Sequence, residues 1–300
     1  MSKKTKIWLI VAASLVLAGG LIFGGAMTML NWDFSKLSTS KLTETTHTIT
    51  EEFSGISITT KTADITFLPT EEENATVVCR KFEKETYAVT VRDGSLVIAL
   101  EQPRKWYDCI GIHFGTSSIT VYLPETHYAS LVVSSNTGDI TLPKAFSFER
   151  VDIGLNTGDA KIFAATSDSL KLKTTTGKIQ VENVTAGAVE LSVNTGHTYL
   201  TNIKCQTLTS RGDTGDLAMQ NVIVAEKLTI RRDTGDVELD GCDAGEIFIE
   251  TDTGDVTGTL LSEKIFFAQT DTGKVDVPKS VTGGKCEIET DTGDIKITIQ

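Results

Sequence analysis

The sequence runs to 300 residues with a formal net charge of −12, 7% aromatic residues, 25 Gly and 5 Pro. That length allows one or two domains with a substantial core, but sparse aromatics and no 3.6-residue apolar period beyond the N-terminus point to thin, layered β structure. Lys3, Lys4 and Lys6 are the only charges before Asp33; removing them from the 28 basic residues leaves 25 against 40 acidic, a body of −15 that repels phosphate backbones and argues against nucleic acid as a partner.

Residues 1–6 read as a basic cytoplasmic tail. Ile7 to Leu30 is an uncharged run long enough, at about 1.5 Å per residue, to span a hydrocarbon core of roughly 30 Å. A cleavable signal has a shorter apolar region, so residues 7–30 are expected to be an uncleaved single-pass anchor. No Cys in it accepts a lipid. The basic flank stays inside, which places residues 31–300 outside the cell membrane. Gly20 and Gly24 have helix-pairing spacing, a weak signal in a segment already rich in small residues. Thr- and Ser-rich residues 31–49 read as a linker.

Residues 50–126 are expected to form an irregular β cap. ADITFLP (63–69) and SITVYLP (118–124) look like degenerate copies of the repeat that follows, and residues 87–100 read as a hairpin turning at Arg92-Asp93-Gly94-Ser95. A cap is needed because an open solenoid end exposes strand edges.

Residues 127–300 carry the repeat. Thr-Gly recurs at Gly138, Gly158, Gly177, Gly196, Gly215, Gly235, Gly254, Gly273 and Gly293, at intervals of 19 or 20 residues. So little drift marks stacked coils. With each Gly as zero, position −1 is always Thr, position −2 is Asn or Asp except at Thr175, and position +1 is Asp except at Lys178, His197 and Lys274. Apolar residues at −7, −5 and +4 alternate about the turn, as in two strands pointing inward from a bend. Gly takes the φ > 0 of that bend. The −2 side chain is expected to close an Asx-turn, and parity directs the −1 Thr inward. The fold class is therefore all-β, a single-stranded parallel β-solenoid of 19–20-residue coils behind one transmembrane helix, nine turns making a rod of about 40 Å at about 4.8 Å per step.

The run of TADITF, ITVYLP, LVVSSNTGDITL and serial NTGD and DTGD turns over residues 50–300 resembles the bacterial putative-adhesin family. The resemblance implies a membrane-anchored β-solenoid of a bacterial envelope, seen also in envelope-stress operons, with no catalytic residues to carry over.

Other motifs weigh less. Asp-Thr-Gly is also the signature of aspartic protease loops, but five copies in a ladder give no unique pair, and Asp or Lys follows where a small residue belongs. Arg211-Gly212-Asp213 matches an integrin-binding tripeptide only because Arg-Gly precedes one repeat turn. Asp213, Asp233 and Arg231 would suit a wall-polysaccharide-cleaving β-helix, but constant coil lengths leave no insertion to wall a cleft. Inward-facing Thr residues likewise weigh against an ice-binding surface. The strongest constellation is an acidic ridge: Asp213 and Asp216, Asp233 and Asp236, Asp252 and Asp255, Asp291 and Asp294, with Asp271 beside them. Carboxylates about 5 Å apart repel by about 1 kcal/mol in water. They need hydrogen bonds, cations such as Arg211 and Arg232, or bound Ca²⁺, the one cofactor the pattern suggests. The five cysteines, Cys79, Cys109, Cys205, Cys242 and Cys286, lack metal spacing and read as small core residues, with one candidate disulfide, Cys79 to Cys109. The reading is a non-catalytic envelope protein that presents a rigid acidic surface to an envelope protein or wall polymer; the alternatives are a glycan-cleaving enzyme and a Ca²⁺-binding surface module.

Overall fold

The computed structural model describes residues 2–38, 41–103, 105 and 115–300. Helix α1 (Lys3–Met29) starts earlier than the apolar run, because the Ser2 side chain accepts the Thr5 N–H at 3.2 Å and takes the lysines into the first turn. It is long and apolar enough to cross a membrane. Asn31 and Trp32, both with φ near +55°, end it.

The proximal strands are β1 (Leu42–Ile49), β2 (Gly55–Thr62), β3 (Asp64–Thr70), β4 (Ala75–Phe82), β5 (Thr86–Arg92), β6 (Ser95–Gln102) and β7 (Ser118–Pro124). The repeat then supplies β8 (His127–Thr137), β9 (Ile140–Leu142), β10 (Ser147–Thr157), β11 (Ala160–Ile162), β12 (Ala165–Thr176), β13 (Ile179–Glu182) and β14 (Thr185–Thr195). Three long strands follow, β15 (Thr198–Thr214), β16 (Leu217–Thr234) and β17 (Val237–Thr253), each carrying one wall of a coil into the next. The chain ends with β18 (Val256–Leu260), β19 (Lys264–Thr272), β20 (Val275–Asp276), β21 (Gly284–Thr292) and β22 (Ile295–Ile299).

The coils stack in parallel with like positions paired, as the repeat requires. Leu131, Val151, Leu170, Val189, Leu208, Leu228, Ile247, Cys286 and Phe266 form one continuous column. All but Phe266 are buried, and each buried aliphatic side chain contributes on the order of 1.5–3 kcal/mol. All nine turn glycines have φ between 127° and 156°. A Cβ at Gly158 would run into the Gly138 carbonyl, and the same contact recurs along the stack. Glycine is thus required twice, for the turn and for the spacing of coils.

Stack order departs from chain order at both ends. β17 pairs with β21, not β19, and β19 pairs with the far side of β21, so the last coil in sequence is the penultimate coil in space. At the proximal end, β2 lies between β6 and β8, and β3 between β7 and β9. Residues 55–70 therefore form a full coil, in keeping with the degenerate copy read at 63–69, with Ala63 in the turn-glycine position. The expected hairpin is present as β5 and β6, turning through Asp93 and Gly94, both at φ > 0. β1 pairs antiparallel with β4, which carries the folded body back to Leu42, into the stretch read as linker. Its alternating Thr residues suit a strand.

Two side-chain expectations are overturned by one irregularity. Strand pairing skips position −2 in every coil, as between Leu155↔Thr174 and Thr157↔Thr176. Alternation breaks there, so the −1 threonines are exposed and the inward-facing column lies at −3. The buried Thr174, Thr251 and Thr290 hydroxyls donate from that column to turn-glycine carbonyls at 3.2, 3.5 and 3.2 Å. The inward-Thr objection to an ice-binding surface therefore lapses, although the exposed threonines form a single column. Cys79, Cys205, Cys242 and Cys286 are buried, and burial pushes their thiols up to about 11 or 12. Cys109, and with it the candidate disulfide, lies outside the described residues.

Candidate functional site: the acidic ridge

The ridge follows the turn corner along the stack. Its +1 members are a hydrogen-bonded ladder. Asp64 Oδ1 accepts the Asp139 N–H at 3.0 Å, Asp139 that of Asp159 at 2.8 Å, and Asp159 that of Lys178 at 2.8 Å. The ladder resumes where Asp216 accepts from Asp236 at 3.0 Å, Asp236 from Asp255 at 2.9 Å, and Asp255 from Asp294 at 2.7 Å. Asp294 accepts from Lys274 at 2.8 Å. Each carboxylate bonds the backbone of the next coil outward, so the last coil needs no acceptor of its own. Lys274 stands there, at the true end of the stack.

Between the two runs, His197 Nδ1 lies 3.3 Å from both the N and Oδ2 of Asp216. Neutral, it accepts the N–H; protonated, it pairs with the carboxylate.

The −2 members, Asp213, Asp233, Asp252 and Asp291, are exposed and make no hydrogen bond among the described residues. The Asx-turn expectation is therefore replaced by a ladder three residues further on. Nor do the described residues contain a group of three or more His, Cys, Asp or Glu side chains arranged to hold a metal. The −2 and +1 residues share one corner, and the +1 member of each pair, rather than the −2 member, makes the hydrogen bond.

Of the two cations expected to offset the ridge, Arg211 is exposed and Arg232 is buried. Arg231 faces outward, 3.4 Å from Glu250 and over the Phe248 ring at 5.3 Å. No ion pair joins it to Asp213 or Asp233 among the described residues. Arg232 turns inward and is 3% exposed. Its Nη2 donates to Ser210 at 2.9 Å and Thr198 at 3.4 Å, and its Nε has no partner among the described residues. Burial lowers its pKa to about 10, opposed by Asp216. A Cβ at Gly212 would meet this guanidinium, so the glycine of Arg211-Gly212-Asp213 makes room for the arginine of the next coil.

Two further constellations escaped sequence reasoning. Asn183, Asn202 and Asn221 adopt φ of 52–58° at a second corner, with Asn202 donating to Asn183 at 2.9 Å and Asn221 to Asn202 at 2.8 Å. Asn six residues after three successive turn glycines was the available signal. The second is an ion pair, Lys264 Nζ to Asp243 Oδ1 at 2.6 Å, with Ser262 bonded to both. Lys264 passes beside Gly284 of the inserted coil to reach Asp243, tying the end coil across it. A shallow depression of about 580 Å³ lies at the proximal end, bordered by Glu51, Glu52, Phe53, Glu73 and Tyr128 and away from the ridge.

A family model described as Toastrack DUF4097 matches residues 53–298. No curated protein matches the chain. Among solved structures, the fold is similar to that of a putative adhesin from Parabacteroides distasonis (13% identity, TM-score 0.55) and one from Parabacteroides merdae (14%, 0.53). Each match covers 87% of this chain and 98% of the other.

Proposed function

The chain belongs to the Toastrack DUF4097 family, and on that premise we propose that it is a non-catalytic cell-envelope protein, held by α1 with its acidic solenoid outside the membrane, which binds a partner protein or wall polymer. The ladder carries this reading. The +1 carboxylates accept backbone N–H groups of neighbouring coils and so serve the stack, and Arg231, the cation that a glycan-cleaving site on Asp213 and Asp233 would need, is paired with Glu250. The adhesin name borne by the similar structures supports a binding role. The −15 body favours a cationic partner, or a metal bridge to an anionic polymer.

The test is co-sedimentation of the detergent-solubilised full chain with isolated cell wall, with soluble sugar assayed in the supernatant. Binding that weakens in added salt, with sugar release at the blank level, is the expected result. Sugar turnover that disappears in Asp213→Asn or Asp233→Asn overturns the reading.

A further inference from the structure

The two ends of the solenoid are finished differently. At the proximal end the β5–β6 hairpin and the β1–β4 pair surround the first coil, and Leu96, Ile98 and Leu123 are fully buried. At the distal end β19 pairs on one side only, with β21. A nine-residue edge strand, KIFFAQTDT, is left with an open row of backbone donors and acceptors. Native proteins usually blunt such edges, because they template pairing with another chain.

The side chains agree with the backbone. Leu261, Ile265, Phe267, Val275 and Val281 are 42%, 37%, 56%, 44% and 89% exposed, and only three other large apolar residues among those described beyond residue 41 are exposed to a comparable degree. Val275 occupies the +2 position that is buried in every earlier repeat coil, so it marks uncovered core. At on the order of 100 Å² each, the five side chains leave roughly 500 Å² of apolar surface open, and two such faces reach about 1,000 Å², the lower bound for a specific interface.

From this geometry we infer that the distal edge is a homophilic contact, in which β19 pairs antiparallel with β19 of a second copy, end to end. The sequence is self-complementary about Phe267. With that residue on the two-fold axis, Phe266 lies opposite Ala268 of the second copy on the core side, large against small, and Phe267 lies opposite its own counterpart on the outer side. Same-face residues meet in this register, and a two-fold contact uses one patch twice. Charge permits it at this tip. Residues 263–283 hold three basic and three acidic residues, within a body of −15, so two acidic rods approach at least cost through their tips. With α1 at the proximal end, the joined rods carry their anchors at opposite ends, roughly 100 Å apart at about 4.8 Å per coil, and the contact links two membranes. This inference names the partner within the binding role proposed above.

The full chain, reconstituted in vesicles with the body outward, is tested in two ways. Phe267→Cys should form disulfide-linked dimers under mild oxidant well above the level of the native chain or of Val132→Cys, an exposed control on the solenoid wall. Native vesicles should cluster, and Phe267→Lys, which sets lysine against lysine at the axis, should reduce clustering at least tenfold while Val132→Lys does not. Phe267 is exposed, and an unchanged circular dichroism melt verifies that its variants fold. Failure of native vesicles to cluster, clustering indifferent to Phe267→Lys, or cross-linking equal to the Val132→Cys control overturns the contact. Wall co-sedimentation is read separately, so loss of the contact leaves the wall-binding reading standing, and sugar turnover sinks that reading without touching the contact.

Discussion

Each +1 aspartate fixes the distance between two coils through a single oxygen, so its carbonyl-like geometry matters more than its charge. Asp236 lies mid-ladder, accepting from Asp255 and donating its own N–H to Asp216. Asp236→Asn keeps an acceptor oxygen and removes one repulsive charge, so it should leave the melting temperature unchanged or slightly higher. Asp236→Ala deletes the acceptor and should cost about 1 kcal/mol, discounted by the exposure of the bond to water. Thermal melts of the full chain in detergent, with and without millimolar Ca²⁺, check both. A Ca²⁺-dependent rise that Asp236→Asn abolishes would make the ridge a metal site instead. The sequence revealed this corner because Asn, Asp, Thr and Gly recur there at fixed offsets. It did not reveal which aspartate bonds, because the Asn or Asp at −2, where pairing is skipped, is also the residue type that an Asx-turn would place there. Arg232 was hidden for a related reason: only Ser210 and Gly212 of the adjacent coil and Thr198 of the coil beyond it, drawn together, explain how a guanidinium enters the core.

At the level of elements, the period of 19–20 residues dictated coil length, turn position and inward columns, all of which the structure contains. Order along the stack was not legible from periodicity, since every coil offers the same columns to any neighbour. Lys274 at the +1 position gives no cue by itself, because Lys178 stands at the same position in an interior coil. The inserted coil makes β19 depend on β21 for all its strand pairing, with the Lys264–Asp243 ion pair as a second tether. Burial raises the Asp243 pKa, but hydrogen bonds from Lys264 and Ser262, the Lys264 charge and the Ala244 N–H outweigh it and hold the carboxyl below its usual value. A carboxyl depressed in the folded state contributes stability that is complete above its unfolded pKa, about 4, and is lost as pH falls through the folded value. Hydrogen exchange between pH 5 and pH 2.5, corrected for intrinsic rates, should therefore show residues 264–277 losing protection before β15 and β16. In Lys264→Met the same segment should be less protected at pH 5 and respond less to acid. Uniform loss of protection along the rod would show that the tether does not govern the end coil.

For the whole molecule, the decisive relation is between a rigid body and a short connection to the helix. Trp8 lies just inside the start of the apolar span and Trp32 just beyond its end, which suits aromatic anchoring at both membrane interfaces. Lys3, Lys4 and Lys6 precede the span, and the positive-inside rule predicts that this end is cytoplasmic. Beyond the helix, β1 begins at Leu42, so the strand-free connection is only about a dozen residues and carries Lys36 and Lys41. The body offers a protease little purchase, because its backbone is paired from coil to coil and local opening there costs much of the global stability. Trypsin added to intact cells should accordingly cut between helix and β1 and release the solenoid as one resistant fragment, while the helix remains in the membrane. A body that stays protected until the cells are lysed would reverse the topology. Appearance of the fragment in the medium without protease would mean that α1 is a cleaved signal, leaving the acidic rod free of the membrane and its tip contact no longer able to join two anchored surfaces.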